Sequence, residues 1–166
     1  MSDSPPRSFS HLDDRGRAAM VDVSSKAVTR RVAEASCRFV CSPVTLARLH
    51  DLPKGDAVAV ARVAGIQAAK RTADWIPLAH PLPLDEVAVD LERHADHVLV
   101  RSRVVATART GAEMEALVAC STAALALYDM VKSVEKGAVV TDLRLDAKSG
   151  GQGGTYQRHG REGTSP

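Results

Sequence analysis

The sequence predicts an α+β domain of the ferredoxin-like class, in which an antiparallel sheet carries helices on one face. Three observations lead to this prediction. Apolar and polar residues alternate in several short stretches, which is the period of half-buried strands. Two long apolar stretches with helix start signals lie between them. The resulting order of strand, helix, strand, strand, helix, strand (βαββαβ) is that of two split βαβ halves.

The first half of the chain is predicted to hold one strand followed by helices. Alternation in "AEASCRFVC" places five side chains on one face of a strand, namely Ala33, Ala35, Cys37, Phe39 and Cys41. In "SPVTLARLHD", Ser42 is a candidate N-cap and Pro43 suits the first helical position. A longer helix is predicted in "KGDAVAVARVAGIQAAKRTADWIP", capped by Asp56 and ended by Pro77.

The second half is predicted to contain a hairpin, a helix and a last strand. The runs "EVAVDLE" and "HVLVRSRVVAT" are joined across "RHAD". The helix follows in "GAEMEALVACSTAALALYDMVKS", in which Thr110 and Glu113 fit the S/T-x-x-E capping box. A basic residue and a glycine at Lys136-Gly137 predict its end. The last strand is predicted in "VVTDLRLDAK".

A single domain is expected at residues 20–148. Residues 1–19 are polar and are predicted to form a flexible leader. Residues 149–166 are glycine-rich and are predicted to form a flexible tail, whose first part could order around an anion. Aromatic residues make up only 3% of the chain. A core of small side chains buries little area, so we expect it to gain from burial between subunits.

Composition and charge exclude several classes of function. The net charge of +2 is too small to indicate a nucleic-acid or membrane partner. An RNA-binding domain of this fold would need aromatic platforms, and the two hairpin runs contain none. The three cysteines form no CxxC, no secretory h-region precedes residue 20, and no apolar run approaches about 18 residues. We therefore expect a soluble cytoplasmic protein.

The long apolar helix carries charge at both ends. Its residues from Ala116 to Tyr128 are uncharged, whereas Asp129 and Lys132 follow at i, i+3 spacing. Spacing alone favours a surface ion pair worth about 0.2–0.5 kcal/mol. A helix apolar all round is buried or interfacial, however, and this favours a cleft in which the pair acts as proton acceptor and donor. Capping explains Glu113 but not Glu115.

Other candidate residues lie in loops. His80 stands among prolines in "WIPLAHPLPL", which favours a positioned acid or donor over a solvated loop histidine. Lys54, Arg109 and Lys148 lie beside glycines at element boundaries, where phosphate oxygens are commonly bound. If they converge, the ligand is a small polyanion. In contrast, "HADH" offers two histidines without acidic or thiolate companions, which is weak evidence for a metal site.

Four stretches, in register, resemble the MoaC family, the cyclic pyranopterin monophosphate synthases of molybdenum cofactor biosynthesis. They are "MVDVSSKAVTRRVAEA", "KGDAVAVARVAGIQAAKRTADWIPLAHPLPL", "ARTGAEMEALVACSTAALALYDMVKS" and "DLRLDAKSGG". The resemblance extends from about Met20 to Gly154. It implies a ferredoxin-like subunit in a homohexamer, a trimer of dimers with active sites at the dimer interface.

The resemblance also implies an activity and its residues. A phosphorus–oxygen lyase of this family converts (8S)-3′,8-cyclo-7,8-dihydroguanosine 5′-triphosphate to cyclic pyranopterin monophosphate and releases diphosphate. No cofactor or protein-held metal is implied, and Mg²⁺ accompanying the phosphates is left open. The residues implied as catalytic are Asp129, Lys132 and Lys54. The residues implied as substrate-binding are Leu78, Ala79, His80, Glu113, Met114, Glu115, Arg109 and Lys148.

This chain departs from the family pattern at one implied site residue. The family often has cysteine where this chain has Ala79, so a thiol there is not essential. The position of Arg109 varies between lysine and arginine, which keeps the charge but not the geometry.

An alternative class of function is a non-catalytic oligomeric module that binds a small anion and regulates a partner. Such a module would keep the glycine-flanked cations without needing Asp129 beside Lys132.

Overall fold

A computed structural model of the chain describes residues 15–158. Residues 1–14 of the predicted leader and residues 159–166 of the predicted tail lie outside the described part. The elements are, in order, β1 (Thr29–Val40), α1 (Pro43–Ala47), α2 (Ala57–Ala69), α3 (Thr72–Trp75), β2 (Leu84–Arg93), β3 (His97–Ala108), α4 (Glu113–Val131), β4 (Val139–Ser149) and β5 (Tyr156–Gln157).

The strands form one antiparallel sheet in the order β2-β3-β1-β4-β5. The first four strands have the arrangement of two interleaved βαβ halves, so the predicted ferredoxin-like class is confirmed. β1 and β3 pair along their whole lengths, from Thr29 opposite Ala108 to Val40 opposite His97. At one end of this ladder Thr29 lies opposite Ala108, and the cavity described below lies at this end.

The core lies between the sheet and two helices, α2 and α4, which pack against each other. The predicted inward face of β1 is confirmed, since its five members are all buried: Ala33, Ala35, Cys37, Phe39 and Cys41. The helices approach closely because Gly65 of α2 has no side chain. A Cβ at this position would lie 2.8 Å from the backbone oxygen of Ala119 on α4.

α4 is the central helix of this core. At 19 residues this helix is long and apolar enough to cross a membrane by length and composition, contrary to the prediction that no apolar run approaches this length. More than half of the helix is buried inside the domain, against β1, β3, β4 and α2. This burial is the property of a core helix, and helix length alone is weak evidence for a membrane span.

The starts of α1 and α2 were predicted correctly, whereas the end of α2 was not. Asp56 caps α2 through bonds from the Val58 and Ala59 amides, and the Ser42 side chain caps α1, both as predicted. α2 ends at Ala69, however, rather than running to Pro77. The buried Thr72 begins the separate helix α3. Its hydroxyl donates a hydrogen bond to the Ala69 carbonyl, and this bond satisfies a carbonyl at the end of α2.

The end of α4 also differs from the prediction. The helix stops at Val131 with Lys132 as its C-cap residue, rather than at Lys136-Gly137. The following turn brings the Glu135 carboxylate to the start of α1, where it accepts bonds from the Ser42 amide at 2.9 Å and the Ser42 hydroxyl at 2.8 Å. This tertiary contact fixes the chain after α4 in a non-helical path.

The sheet continues past residue 148, which was the predicted end of the domain. β4 includes Ser149, and β5 pairs with β4 through Tyr156 opposite Lys148. The residues between them turn at Gly150 and Gly151, both of which have positive φ. The first part of the predicted tail therefore adds an edge strand to the sheet.

Candidate active site

A cavity of about 630 Å³ lies where the β1–β3 ladder ends, a size suited to a small-molecule ligand. Four parts of the chain form its walls: the segment before β1, the proline-rich loop before β2, the start of α4 and the turn after β4. Thr29 and Arg31 of β1 also line it. They continue the inward face of the strand, so the buried face changes from apolar to polar at this point.

Arg31 is a buried arginine on the wall of this cavity. Its Nη2 donates to the carbonyl of Arg109 at 3.1 Å, and its Nε donates to that of Ala108 at 3.4 Å. The turn at Gly150 and Gly151 lies against the same side chain. A Cβ on Gly151 would collide with the Arg31 guanidinium, and one on Gly150 would collide with the backbone of Arg30.

The proline-rich loop contributes Leu78, Ala79 and His80 to the cavity wall, as the resemblance implied for the substrate-contacting segment. The loop is fixed where it leaves α3, because the Ala79 amide donates to the Ile76 carbonyl at 3.0 Å. His80 is half-buried on this wall. An imidazole in this position can donate a proton to a ligand or accept one from it.

The start of α4 differs from the predicted capping box. The N-cap residue is Ala112, and no side chain caps the helix. The Glu113 carboxylate instead forms an ion pair with Lys148 of β4, with 2.9 Å between Oε1 and Nζ. This carboxylate folds over Gly111, where any Cβ would collide with it. The capping prediction for Glu113 is therefore wrong, because a lysine from another element competes successfully for the carboxylate.

Glu115 is the buried acid of the cavity. The pKa of its carboxyl is raised to about 7, chiefly by burial; a bond from its own backbone N–H opposes the rise, and the negative charge of Glu113 adds to it. Glu113 has a lysine partner, whereas no salt bridge to Glu115 occurs among the described residues. With a pKa of about 7, the Glu115 carboxyl is about half protonated near neutral pH.

We expect this buried acid to make stability depend on pH. The unfolded carboxyl ionises near its usual value of 4.5, so between about pH 4.5 and about pH 7 the folded state holds the extra proton, and stability falls as pH rises. From about pH 5 to about pH 8, the free energy of unfolding of wild type should fall by up to about 3 kcal/mol relative to that of Glu115→Gln. The measurement is denaturant unfolding of both proteins at the two pH values. Parallel pH curves for the two proteins would contradict this account.

A second cluster lies at the opposite end of α4. The Asp129 carboxylate contacts Lys132 Nζ at 2.5 Å through Oδ1 and Lys54 Nζ at 3.1 Å through Oδ2. Lys54 also donates to the backbone carbonyl of Asp129 at 2.9 Å. Lys54 precedes Gly55, whose positive φ turns the loop before α2. Lys54, which the resemblance implied as a third catalytic residue, therefore contacts Asp129 within one chain.

Asp129 and Lys132 hold each other in the charged state. Hydrogen bonding to Lys132, and then to Lys54, lowers the pKa of Asp129 below its usual value. The same bond to Asp129 raises the pKa of Lys132. Near neutral pH the cluster therefore offers an ammonium that can give a proton and a carboxylate that can accept one. All three side chains are about half exposed in the single chain.

The predicted site residues fall into these two clusters. The cavity cluster holds Leu78, Ala79, His80, Arg109, Met114 and Glu115 on its wall, with the Glu113–Lys148 pair beside Gly111 and Gly153 at its edge. The triad cluster holds Lys54, Asp129 and Lys132. Sixteen residues of helix separate Glu113 from Asp129, which corresponds to about 24 Å. One chain therefore does not bring His80 or Lys148 to Asp129.

Sequence reasoning missed two cations on the cavity wall, Lys26 and Arg31. The signal for Arg31 was available, because an arginine that continues the apolar face of an alternating strand must be buried. Lys26 had no such signal, since it lies in the irregular segment before β1. Within residues 15–158, no three His, Cys, Asp or Glu side chains are grouped so as to hold a metal ion.

The histidines of the hairpin turn form a separate surface feature. His94 and His97 stack with their ring centroids 4.5 Å apart. Their nitrogens are directed to carboxylates, His97 Nδ1 to Asp96 at 2.6 Å and His94 Nε2 to Glu92 at 3.4 Å. The two histidines thus have carboxylate companions, contrary to the expectation from the sequence, and both contacts lie at the hairpin turn.

Comparison with known proteins gives one consistent result. The model of the MoaC family matches residues 20–151. A cyclic pyranopterin monophosphate synthase of Streptomyces griseus is 54% identical over 157 residues, covering 93% of this chain and 89% of that protein. One of Nocardioides is 55% identical over 163 residues, covering 95% and 99%. One of Herpetosiphon aurantiacus is 53% identical over 153 residues, covering 90% and 93%.

Proposed function

The chain belongs to the MoaC family, and we infer that it is an enzyme catalysing the reaction for which its relatives are named, the formation of cyclic pyranopterin monophosphate in molybdenum cofactor biosynthesis. One observation carries the link to the geometry. Each of the eleven site residues implied by the sequence lies in one of the two clusters at the ends of α4. The reaction releases diphosphate and is that of a phosphorus–oxygen lyase.

The cavity cluster suits a ligand with a triphosphate and a purine-derived ring. Three cations line it, Lys26, Arg31 and Arg109, and Lys148 lies at its edge. Several positive charges in one cavity stabilise phosphate oxygens and the charge that develops on departing diphosphate. The proposed substrate is therefore (8S)-3′,8-cyclo-7,8-dihydroguanosine 5′-triphosphate. Its ring would lie near His80 and the buried Glu115.

The triad cluster suits proton transfer during ring opening and rebuilding. Lys132 is present as the ammonium and Asp129 as the carboxylate, so the pair can supply a proton at one atom and remove one at another. Closure of the cyclic phosphate needs a sugar hydroxyl to attack the α-phosphorus. The new O–P bond forms as the bond to the diphosphate oxygen breaks and the hydroxyl proton leaves. Holding the two reacting ends together favours this step.

We propose that the two clusters meet across a dimer interface in a homohexamer. A two-fold axis perpendicular to α4 near its middle would place the start of this helix beside the end of its partner's α4. The helical surface between the clusters supports such a contact, because Val63 of α2 and Leu125 of α4 are more than half exposed. Burial of these side chains would also stabilise a core that is poor in large residues.

The proposed site needs no protein-held cofactor. The three cations on the cavity wall would repel a bare metal ion, so a Mg²⁺ ion would enter only with the substrate phosphates. We place the enzyme in the cytoplasm. The three cysteines support this location, since Cys37, Cys41 and Cys120 are buried free thiols, and thiols persist in reducing compartments.

The activity test is direct. The purified chain is incubated with the cyclic dihydroguanosine triphosphate, and both products are measured, the pterin by chromatography and the diphosphate by a coupled phosphate assay. We expect the two products in equal amounts. Binding of the triphosphate without either product would contradict the enzyme and favour the non-catalytic anion-binding module.

A further inference from the structure

The segment before β1 forms one wall of the cavity, and we call residues 20–28 the leading segment. The backbone ladder between β1 and β3 ends at Thr29 and Ala108, so the leading segment lies beyond the sheet. It nevertheless has a defined shape. The Lys26 amide donates to the Val23 carbonyl at 3.0 Å, and the Ser24 amide donates to the Asp22 carboxylate at 2.8 Å. Val21, Val23 and Lys26 face the cavity from this segment.

A side chain from the other strand holds this wall. Arg109, the residue after the last pair of the ladder, donates its Nε–H to the Lys26 carbonyl at 3.2 Å. The backbone of Arg109 is itself held, because its carbonyl accepts a bond from Arg31 Nη2 at 3.1 Å. Arg109 therefore connects the leading segment to the buried arginine on the cavity wall.

We propose that Arg109 is a positioning residue, whose Nε–H holds the leading segment as a wall of the cavity and thereby sets the affinity for substrate. On sequence grounds Arg109 was predicted only to supply a positive charge for phosphate binding. The anchoring contact is independent of the activity, whereas the effect on affinity rests on the proposed function. Opening of the segment would remove Lys26 from the cavity and admit water beside the phosphates.

Two substitutions separate the anchor from the charge. In glutamine, Nε2 lies the same number of bonds from Cα as the arginine Nε, so Arg109→Gln keeps a donor for the Lys26 carbonyl and loses the charge. In lysine this position is a methylene group, and the ammonium lies one bond further out. Arg109→Lys therefore keeps the charge and loses the donor at the anchoring position.

Hydrogen–deuterium exchange of the ligand-free protein tests the anchor without any assay of activity. Loss of one hydrogen bond should speed exchange of the leading-segment amides by about 3- to 10-fold. We expect this increase in Arg109→Lys and Arg109→Ala, and a rate within about twofold of wild type in Arg109→Gln. Arg101→Lys is the matched control, because Arg101 is exposed and pairs with Glu92 at 2.6 Å on the sheet.

Kinetics with the cyclic dihydroguanosine triphosphate test the effect on affinity. Arg109→Lys should raise KM by about 3- to 10-fold with kcat within about twofold, because the triad cluster is unchanged. The KM of Arg109→Gln should lie below that of Arg109→Lys. The proposal would be overturned if Arg109→Lys exchanged and bound substrate like wild type while Arg109→Gln bound it poorly. Arg109 would then act only through its positive charge. An inactive wild type would refute the proposed function, and the exchange result would still stand.

Discussion

Replacing Lys132 by alanine should lower turnover by about 10²- to 10⁴-fold, the contribution typical of a general acid or base. The structure gives the reason. Lys132 is held as an ammonium by Asp129 at 2.5 Å and is the proton donor that we propose for the triad cluster. The measurement is single-turnover formation of the pterin at saturating substrate, which separates chemistry from binding. Binding of the triphosphate should change little, because the cavity cluster is intact.

Lys136→Ala is the matched control for this result. Lys136 follows four residues later in the turn after α4 and is exposed, and the ion pairs of Asp129 among the described residues are with Lys132 and Lys54. Its loss should leave turnover within about twofold of wild type, as for most surface substitutions. Comparable activity of Lys132→Ala and Lys136→Ala would show that the Asp129–Lys132 contact is an ordinary surface ion pair. A different group would then have to supply the proton.

Two inactive variants should restore each other's activity when they are combined in one assembly. If each site takes its cavity cluster from one subunit and its triad cluster from another, a His80→Ala subunit paired with a Lys132→Ala subunit contains one intact site and one doubly altered site. Random association after co-expression makes half of the dimers mixed, so about a quarter of all sites should be active. Against single variants reduced by about 10²-fold or more, this gain is large.

The control combines two variants of the same cluster. Mixing Asp129→Asn with Lys132→Ala leaves an altered triad cluster at every site, so activity should stay at the level of the single variants. Restored activity in this second mixture would exclude the proposed division of the site. Equal inactivity of both mixtures, with mixed dimers demonstrated by two affinity tags, would show that each site draws on one subunit alone.

The sequence was sufficient for the elements whose pattern is set locally. The alternation along β1 predicted its buried face correctly, because side chains in a strand alternate between the two faces of the sheet. Ser42 and Asp56 were predicted as helix caps for the same reason, since a cap acts within three residues of its own position.

Predictions failed where a distant residue decided the local geometry. Thr110 and Glu113 satisfy the capping-box pattern, yet Lys148 of β4 takes the Glu113 carboxylate. The last turn predicted for α4 is absent because Glu135 binds Ser42, which lies 93 positions away in the chain. Such competition between local and tertiary bonds depends on which elements become neighbours, and a pattern within one helix does not contain that information.

The site itself was predicted in parts rather than as a whole. The charges at both ends of α4 and the loop cations were recognised, and the contact between Lys54 and Asp129 is present. Their division into two clusters was not foreseen, because it follows from the length of a continuous helix. Lys26 was missed since the shape of the leading segment depends on the side chain of Arg109.

The continuity of α4 limits how this protein can change in length. Inserting one residue in the middle of the helix would rotate its two ends relative to each other by about 100° and separate them by a further 1.5 Å or so. Met114 and Asp129 could then no longer meet across the two-fold axis that we propose for the dimer. Insertions and deletions should therefore be tolerated in the hairpin turn at residues 93–96, which touches neither cluster, and not between Glu113 and Val131.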